Sequence, residues 1–304
     1  MKAEKKRHGG AMSDTRYSLL LITPAMLIIL FFALIPLFYA IDVSFRHADL
    51  TMGGIQQFVG LDNYRTVLRE PQFWNAIRVT LQFTVSAVVV EMGLGILIAF
   101  LVNGVTKGKG IIRSLLILPL ATAPAVTGLF WRYLYDTQFG LFNYFLGLVG
   151  LPQPNWLGDV HLGLFSLIIF DVWQWTPFVT LIVLAGLQSL PREPFEAAEL
   201  DGASTFRVLR KLTFPMLMPV LTLVGVLRTI DSLRLYDSVA TLTRGGPGNV
   251  TETMTYYLYR QGLVFFRMDY ASTMALLFLY AVVVASGIAL RPLLTRFALR
   301  AMSR

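Results

Sequence analysis

The chain has 304 residues, of which 55% are hydrophobic and only 14% charged, with no cysteine and a formal net charge of +8. A soluble domain carries about 25% charged residues; the deficit here sits in several long, nearly uncharged runs, which excludes a pair of soluble domains and predicts a polytopic helical membrane protein. The lack of cysteine excludes disulfides, thiolate catalysis and Cys-ligated metals.

Residues 1–16 form a polar, basic tail with Lys2, Lys5, Lys6, Arg7 and Arg16. Residues 17–43 are apolar apart from Asp42. That run exceeds the roughly 7–15-residue apolar region of a signal peptide and is read as an uncleaved first span, kinked at Pro24 and Pro36. Residues 44–75 form an external loop holding FVGLDNY at 58–64 and a helix-like piece from Asp62 to Glu70. Five further spans are predicted over 76–102, 111–135, 162–190, 216–239 and 270–290, each near the ~20 residues a bilayer requires. The third contains Pro119 and Pro124. The 103–113 turn is basic, 136–161 and 240–269 are loop-like, and 291–304 is a second basic tail. The five-helix core is 76–290, interrupted by a charged loop at 191–215. No soluble domain, low-complexity linker or clear internal repeat stands out.

Six spans put both termini on one side, and positive residues decide which. The two tails, the 103–113 turn and the 191–215 loop hold 16 of the 26 Lys plus Arg, including all six lysines; the opposite loops, including their boundary residues, hold nine, all arginines, and Arg228 lies inside a span. Both termini and the 191–215 loop are therefore predicted to be cytoplasmic. The positive charge reflects this sidedness and needs no nucleic acid. Trp74, Tyr133, Tyr135, Trp173, Trp175 and Tyr236 suit interfacial or pore-lining positions.

A charge at the centre of a membrane helix costs roughly 2.5–3.5 kcal/mol on insertion scales, so it is paired or faces water. The fifth span contains Arg228, Asp231, Arg234 and Asp237, alternating in sign at three-residue spacing. On a helix these are neighbours, and they make a polar stripe. Two readings fit: the lining of a hydrophilic substrate path, or self-compensating salt bridges that hold the bundle together. Glu91, near the middle of the second span, fits a structural partner for Arg228 or a proton-relay acid. Asp171, Trp173, Gln174 and Trp175 lie in the fourth span, where rings beside carboxylate and amide suit stacking on sugars and binding hydroxyls; an interfacial aromatic belt is the competing reading. Gly93, Gly95 and Ala99 allow close helix packing.

His8, His47 and His161 are far apart, which argues against a metal site. The glycines at 245, 246 and 248 and the 104–110 stretch fail the phosphate-loop pattern, so no nucleotide site is visible. No Ser/His/Asp constellation appears, which disfavours a membrane-embedded enzyme. Asn249-Val250-Thr251 matches a glycosylation acceptor, a three-residue pattern common by chance.

The charged loop contains EAAELDGASTFRVLRKLTFP, Glu196 to Pro215. It reads as two short helices around Gly202, acidic before and basic after. It resembles the EAA loop of the permease subunits of binding-protein-dependent ABC importers: E-A-A, three residues, G, nine residues, I-x-L-P. Glu196, Ala197, Ala198, Gly202 and Pro215 match; Leu212 and Phe214 replace Ile and Leu. FVGLDNY, WQWTPF at 173–178, LAGLQSLP at 184–191 and LTRGGPGNVTET at 242–253 resemble the carbohydrate branch, of maltose- and glycerol-3-phosphate first-permease type, with Arg244 where glycine is usual. The resemblance covers nearly the whole chain beyond the N-terminal tail.

This resemblance implies an all-α integral membrane fold of six transmembrane helices with a cytoplasmic coupling helix, in the bacterial inner membrane. It implies half of the translocation path for an oligosaccharide or polyol. Partners would be a second homologous permease, two ATPase subunits that bind ATP and Mg, an extracytoplasmic solute-binding protein and membrane lipid. The chain itself would hold no cofactor and catalyse nothing. Gly202 would allow a tight turn, Ala197 and Ala198 a slim docking face, Glu196 and Asp201 charges for the ATPase, and Pro215 the restart of the fifth span. The rival reading is a proton-coupled secondary transporter using Glu91 and Asp231.

Overall fold

A computed structural model describes residues 14–302 apart from 50 and 52. The basic tail as far as residue 13, with Lys2, Lys5, Lys6, Arg7 and His8, lies outside the described residues, as do the last two residues of the C-terminal tail. Among the described residues five helices are long and apolar enough to cross a membrane, and a bent pair makes a possible sixth. The fold is all-α except for one two-stranded hairpin.

The chain divides into two units. The first comprises 1–67 and 261–304. Its helices α1 (Asp14–Ser44) and α12 (Met268–Met302) pack along each other. Between them in sequence, β1 (Arg46–Asp49) pairs antiparallel with β2 (Gly54–Phe58), and α2 (Asp62–Arg69) follows. The first turn of α2 closes this end: Asn63 Nδ2 donates to the carbonyls of Ser44 and Arg46. The buried Asp269 accepts from the N–H of Ala48 and contacts the His47 ring. Along α1 the side chains of Ile28, Phe31 and Phe32 are exposed, as a lipid-facing helix demands. The helix α12 continues through Met302, so the C-terminal tail begins as a continuation of the last span.

The second unit, residues 68–260, is built on α3 (Pro71–Gly104), α7 (Gly163–Gln188) and α10 (Phe214–Leu233). Pro71 suits the first helical turn, where its missing N–H costs nothing. Gly95 and Ala99 of α3 are buried against α7; a Cβ built on Gly95 would lie 2.6 Å from Val179 Cβ. Gly93, by contrast, faces open space. Gly95→Leu is therefore expected to force the two helices apart, at about 1–3 kcal/mol for overpacking; thermal unfolding in detergent checks it, with Gly93→Leu as the benign control.

The third predicted span is not one helix. It consists of α4 (Lys109–Leu120) and α5 (Pro124–Leu134), bent by 92°. Pro124 pushes Ala123 to an extended backbone (φ −66°, ψ 134°), as the residue before a proline is driven out of the helical region. Residues 141–148 form a short helix, α6, inside the stretch read as loop. Just before it, the N–H groups of Phe139 and Gln138 hold the Asp136 carboxyl below the usual carboxylate range. The region 240–269 likewise contains a helix, α11 (Met254–Tyr259), flanked by π-turns at 239–243 and 260–264.

Candidate functional site

Charged side chains from three apolar helices meet in the second unit. Arg228 of α10, only 1% exposed, puts Nε at 2.6 Å and Nη2 at 2.9 Å from the two oxygens of Glu91 on α3. Its Nη2 also reaches Asp171 on α7 at 2.9 Å, and its Nη1 reaches Asp231 one turn on at 2.6 Å. Ser232 Oγ accepts at 3.3 Å, and the guanidinium carbon lies 4.7 Å from the centre of the Trp175 ring. Glu91 and Asp171 are buried, whereas the Asp231 side chain is 54% exposed. Only Arg, with its planar fork of donors, can hold three carboxylates at once in this way. The expected pairing of Glu91 with Arg228 is present.

The polar stripe is shorter than its sequence spacing implies. The helix α10 ends at Leu233, and the next residues leave the helical path. Arg234 and Asp237 are exposed but do not continue the row set by Arg228 and Asp231. Asp171 and Gln174 are also placed differently from a hydroxyl-binding surface: both are buried and occupied internally. Gln174 accepts from Thr127 Oγ1 and donates to the Thr122 carbonyl, so it holds the bend between α4 and α5. Trp173, 40% exposed, packs on Trp131 with ring centres 5.1 Å apart.

The charged loop folds as two short helices about a glycine. α8 spans Glu193–Leu200 and α9 spans Thr205–Val208. Gly202 has φ +65°; its N–H donates to Glu199 O, and Ala203 N–H donates to Ala198 O at 2.9 Å. This is the Schellman pattern of a helix ending on a left-handed residue, a position glycine takes without a Cβ penalty. Glu193 and Glu196 occupy the first turn of α8, where the helix dipole favours acids. Glu196, Ala197, Asp201 and Gly202 are exposed and Ala198 half-buried. Leu200 and Phe206, on either side of the glycine, are 90% and 74% exposed; the sequence reading missed both, although an apolar residue on each side of a charged glycine turn was the available signal. Pro215 does not restart the helix. The backbone runs helically from Thr205 to Leu233 through a π-turn at 209–213, whose last bond is Phe214 N–H to Leu209 O; the wider turn accommodates the proline.

Another buried acid was also missed. Glu252, at the end of the LTRGGPGNVTET segment, is fully buried and accepts from Gln72 and Arg260. Asn75 Nδ2 donates to Asn249 O, and Met254 N–H to Thr80 Oγ1, so this segment is strapped to the start of α3. Arg244 sits at φ +53°, a left-handed backbone that costs a side-chain-bearing residue roughly 1–2 kcal/mol and accounts for glycine being usual there. Among the described residues no cluster of three His, Cys, Asp or Glu could hold a metal ion.

Residues 91–303 match the model of a family described as binding-protein-dependent transport system inner membrane component. The probable ABC transporter permease protein y4oQ of Sinorhizobium fredii is 45% identical over 262 residues, covering 86% of this chain and 84% of the relative. The trehalose/maltose transport system permease protein MalF of Thermococcus litoralis is 38% identical over 242 residues, 80% of this chain and 82% of the relative. In fold, the chain resembles one from the crystal structure of a bacterial ABC transporter involved in the import of the acidic polysaccharide alginate, with a TM-score of 0.77 at 22% identity, over 91% of this chain and 95% of that one.

Proposed function

The chain belongs to the family of inner-membrane components of binding-protein-dependent transport systems, and from that premise we propose that it is one permease subunit of an ATP-driven importer for an oligosaccharide or polyol. The observation that carries the coupling part is the loop from Glu193 to Val208. It is helical on both sides of a left-handed Gly202 and exposes Leu200 and Phe206 beside Glu196 and Asp201. Exposed apolar side chains rimmed by charge suit a protein partner, and the partner is the ATPase pair, which binds ATP and Mg. The loop and both termini face the cytoplasm, as the lysine distribution supports. The helix leaving this loop is unbroken as far as Arg228 and Asp231, so a push on α9 reaches the charged cluster as a rigid shift of α10. The path runs along the Asp231 side of that cluster, with Trp173, Arg234 and Asp237 as further lining and a second, homologous permease as the opposite wall.

The sugar assignment draws on relatives such as the trehalose/maltose permease and an arabinooligosaccharide permease of Bacillus subtilis. A proton-coupled carrier built on Glu91 and Asp231 finds no support, because both oxygens of Glu91 are engaged by Arg228. In proteoliposomes holding this chain, its partner permease and the ATPases, the sugar-loaded binding protein is expected to drive uptake that stops without ATP. Uptake by this chain alone in a pH gradient would overturn the reading.

A further inference from the structure

A polar cavity of about 460 Å³ opens in the second unit, away from the Arg228 cluster, and neither the resemblance nor the proposed path uses it. It is lined by Asn75, Arg78 and Gln82 of α3, by His161, and by the apolar Leu164 and Val250. Asn75, Arg78 and Gln82 recur at three and four residues, so one face of α3 supplies them. Arg78 is exposed, and among the described residues it makes no ion pair or side-chain hydrogen bond. No carboxylate lines the cavity. The acid nearest to His161 in sequence, Asp159, turns Oδ1 onto the N–H groups of His161 and Leu162 at 2.7 and 3.2 Å.

The walls are set without a ligand. Asn75 Nδ2 holds the Asn249 carbonyl at 3.0 Å, next to Val250. A Cβ on Gly163 would lie 3.3 Å from both Pro247 and Thr251, so the start of α7 packs closely on the 245–252 turn. The result is a preformed socket with one permanent cation, an imidazole, two amides and no competing acid. That donor set recognises an anionic oxygen group, above all a carboxylate.

We infer that this socket receives an acidic side chain of the extracytoplasmic binding protein and fixes its register on the permease. The inference rests on the importer reading, which puts the start of α3, His161 and the 245–252 turn on the outer side. Pinned walls suit rigid-body docking, whereas a cargo route must open and close. A single rim cation of this kind mainly sets encounter rate and salt dependence.

The test measures binding of the sugar-loaded binding protein to the complete transporter in nanodiscs across a salt series. Arg78→Ala is expected to raise Kd about tenfold at low salt and to flatten the salt dependence; Arg78→Lys, which keeps a cation, retains most of the affinity. Arg78→Glu should be rescued by one Asp or Glu to Lys exchange in a scan of the binding protein. An unchanged Kd and salt slope in Arg78→Ala overturns the inference. So does an unchanged Kd with lower uptake of a carboxylate-bearing sugar, which would assign the anion to the cargo. A wild-type transporter that captures no binding protein overturns the importer reading itself.

Discussion

Gly202→Asp is expected to abolish ATP-driven uptake while the chain still inserts and folds. Gly202 stands at φ +65°, and a Cβ built on it meets nothing within 4 Å in this chain. Asp is also among the side chains that tolerate a left-handed backbone best. The intramolecular cost is therefore small, no more than about 1–2 kcal/mol relative to glycine at such a position. What changes is the surface: a carboxylate appears next to Asp201, between the exposed Leu200 and Phe206, where the proposed ATPase contact would bring a partner close to the backbone. Co-purification of the ATPases should fall together with uptake, while thermal unfolding of the isolated chain moves little. Gly202→Ala separates bulk from charge and is expected to be intermediate. Normal uptake by Gly202→Asp would remove this loop as the coupling element; loss of folded protein would show that the turn is structural instead.

Arg228→Ala is expected to have the largest effect on folding of any single change considered. It strands Glu91 and Asp171, both buried, with no counter-charge. Breaking a buried ion pair by removing one partner costs about 3–5 kcal/mol, because the remaining charge has no solvent. Arg228→Lys should recover only part of this: an ammonium cannot match the two-pronged contact with Glu91 and also reach Asp171 and Asp231. Membrane abundance and unfolding in detergent measure the loss. A neutral replacement of the buried members, Glu91→Gln, Asp171→Asn and Arg228→Gln together, then distinguishes the two readings of the charged spans. If the cluster only ties α3, α7 and α10 together, both stability and uptake return, since neutral groups avoid the desolvation of ions. If it holds Asp231 in place for the path, stability returns and uptake does not. A stable Arg228→Ala would sink both.

Much of this was readable before any fold was known. The apolar runs are legible because a bilayer demands long uncharged stretches with internal hydrogen bonding. The helix–glycine–helix loop was legible because its form follows from single residues, acids early in α8 and glycine at the one left-handed position. That Glu91 and Arg228 each need a counter-charge followed from the cost of leaving either alone, and each was a candidate partner for the other. Other features were out of reach. The stripe Arg228–Asp231–Arg234–Asp237 presumed a helix that stops at Leu233, and a three-residue spacing does not report its own end. Asp171 and Gln174 looked like sugar-binding groups because polar residues beside tryptophans have the same composition whether they face a path or a neighbouring helix. The bend at 121–123 was signalled by two prolines, but its 92° angle was not.

The amino-acid sequence by itself determined that this is a multi-span helical membrane protein of the transport family, and where its chain turns. The spans and turns depend on local composition and on the conformational freedom of individual residues; the family rests on the resemblance carried by the Glu196–Pro215 loop and its companion motifs. Only the tertiary structure decided which charges neutralise one another. Arg228 meets carboxylates 137 and 57 residues away, and the buried Glu252 carboxylate, paired with Arg260, also accepts a hydrogen bond from the neutral Gln72 amide across 180 residues. Arg78, which among the described residues makes no ion pair, is likewise identified only by that matching. The reason is physical: burial makes an ion pair compulsory, yet its partner is chosen by which helices lie side by side, and helix neighbours are settled by close packing such as Gly95 on Val179 rather than by the charges themselves.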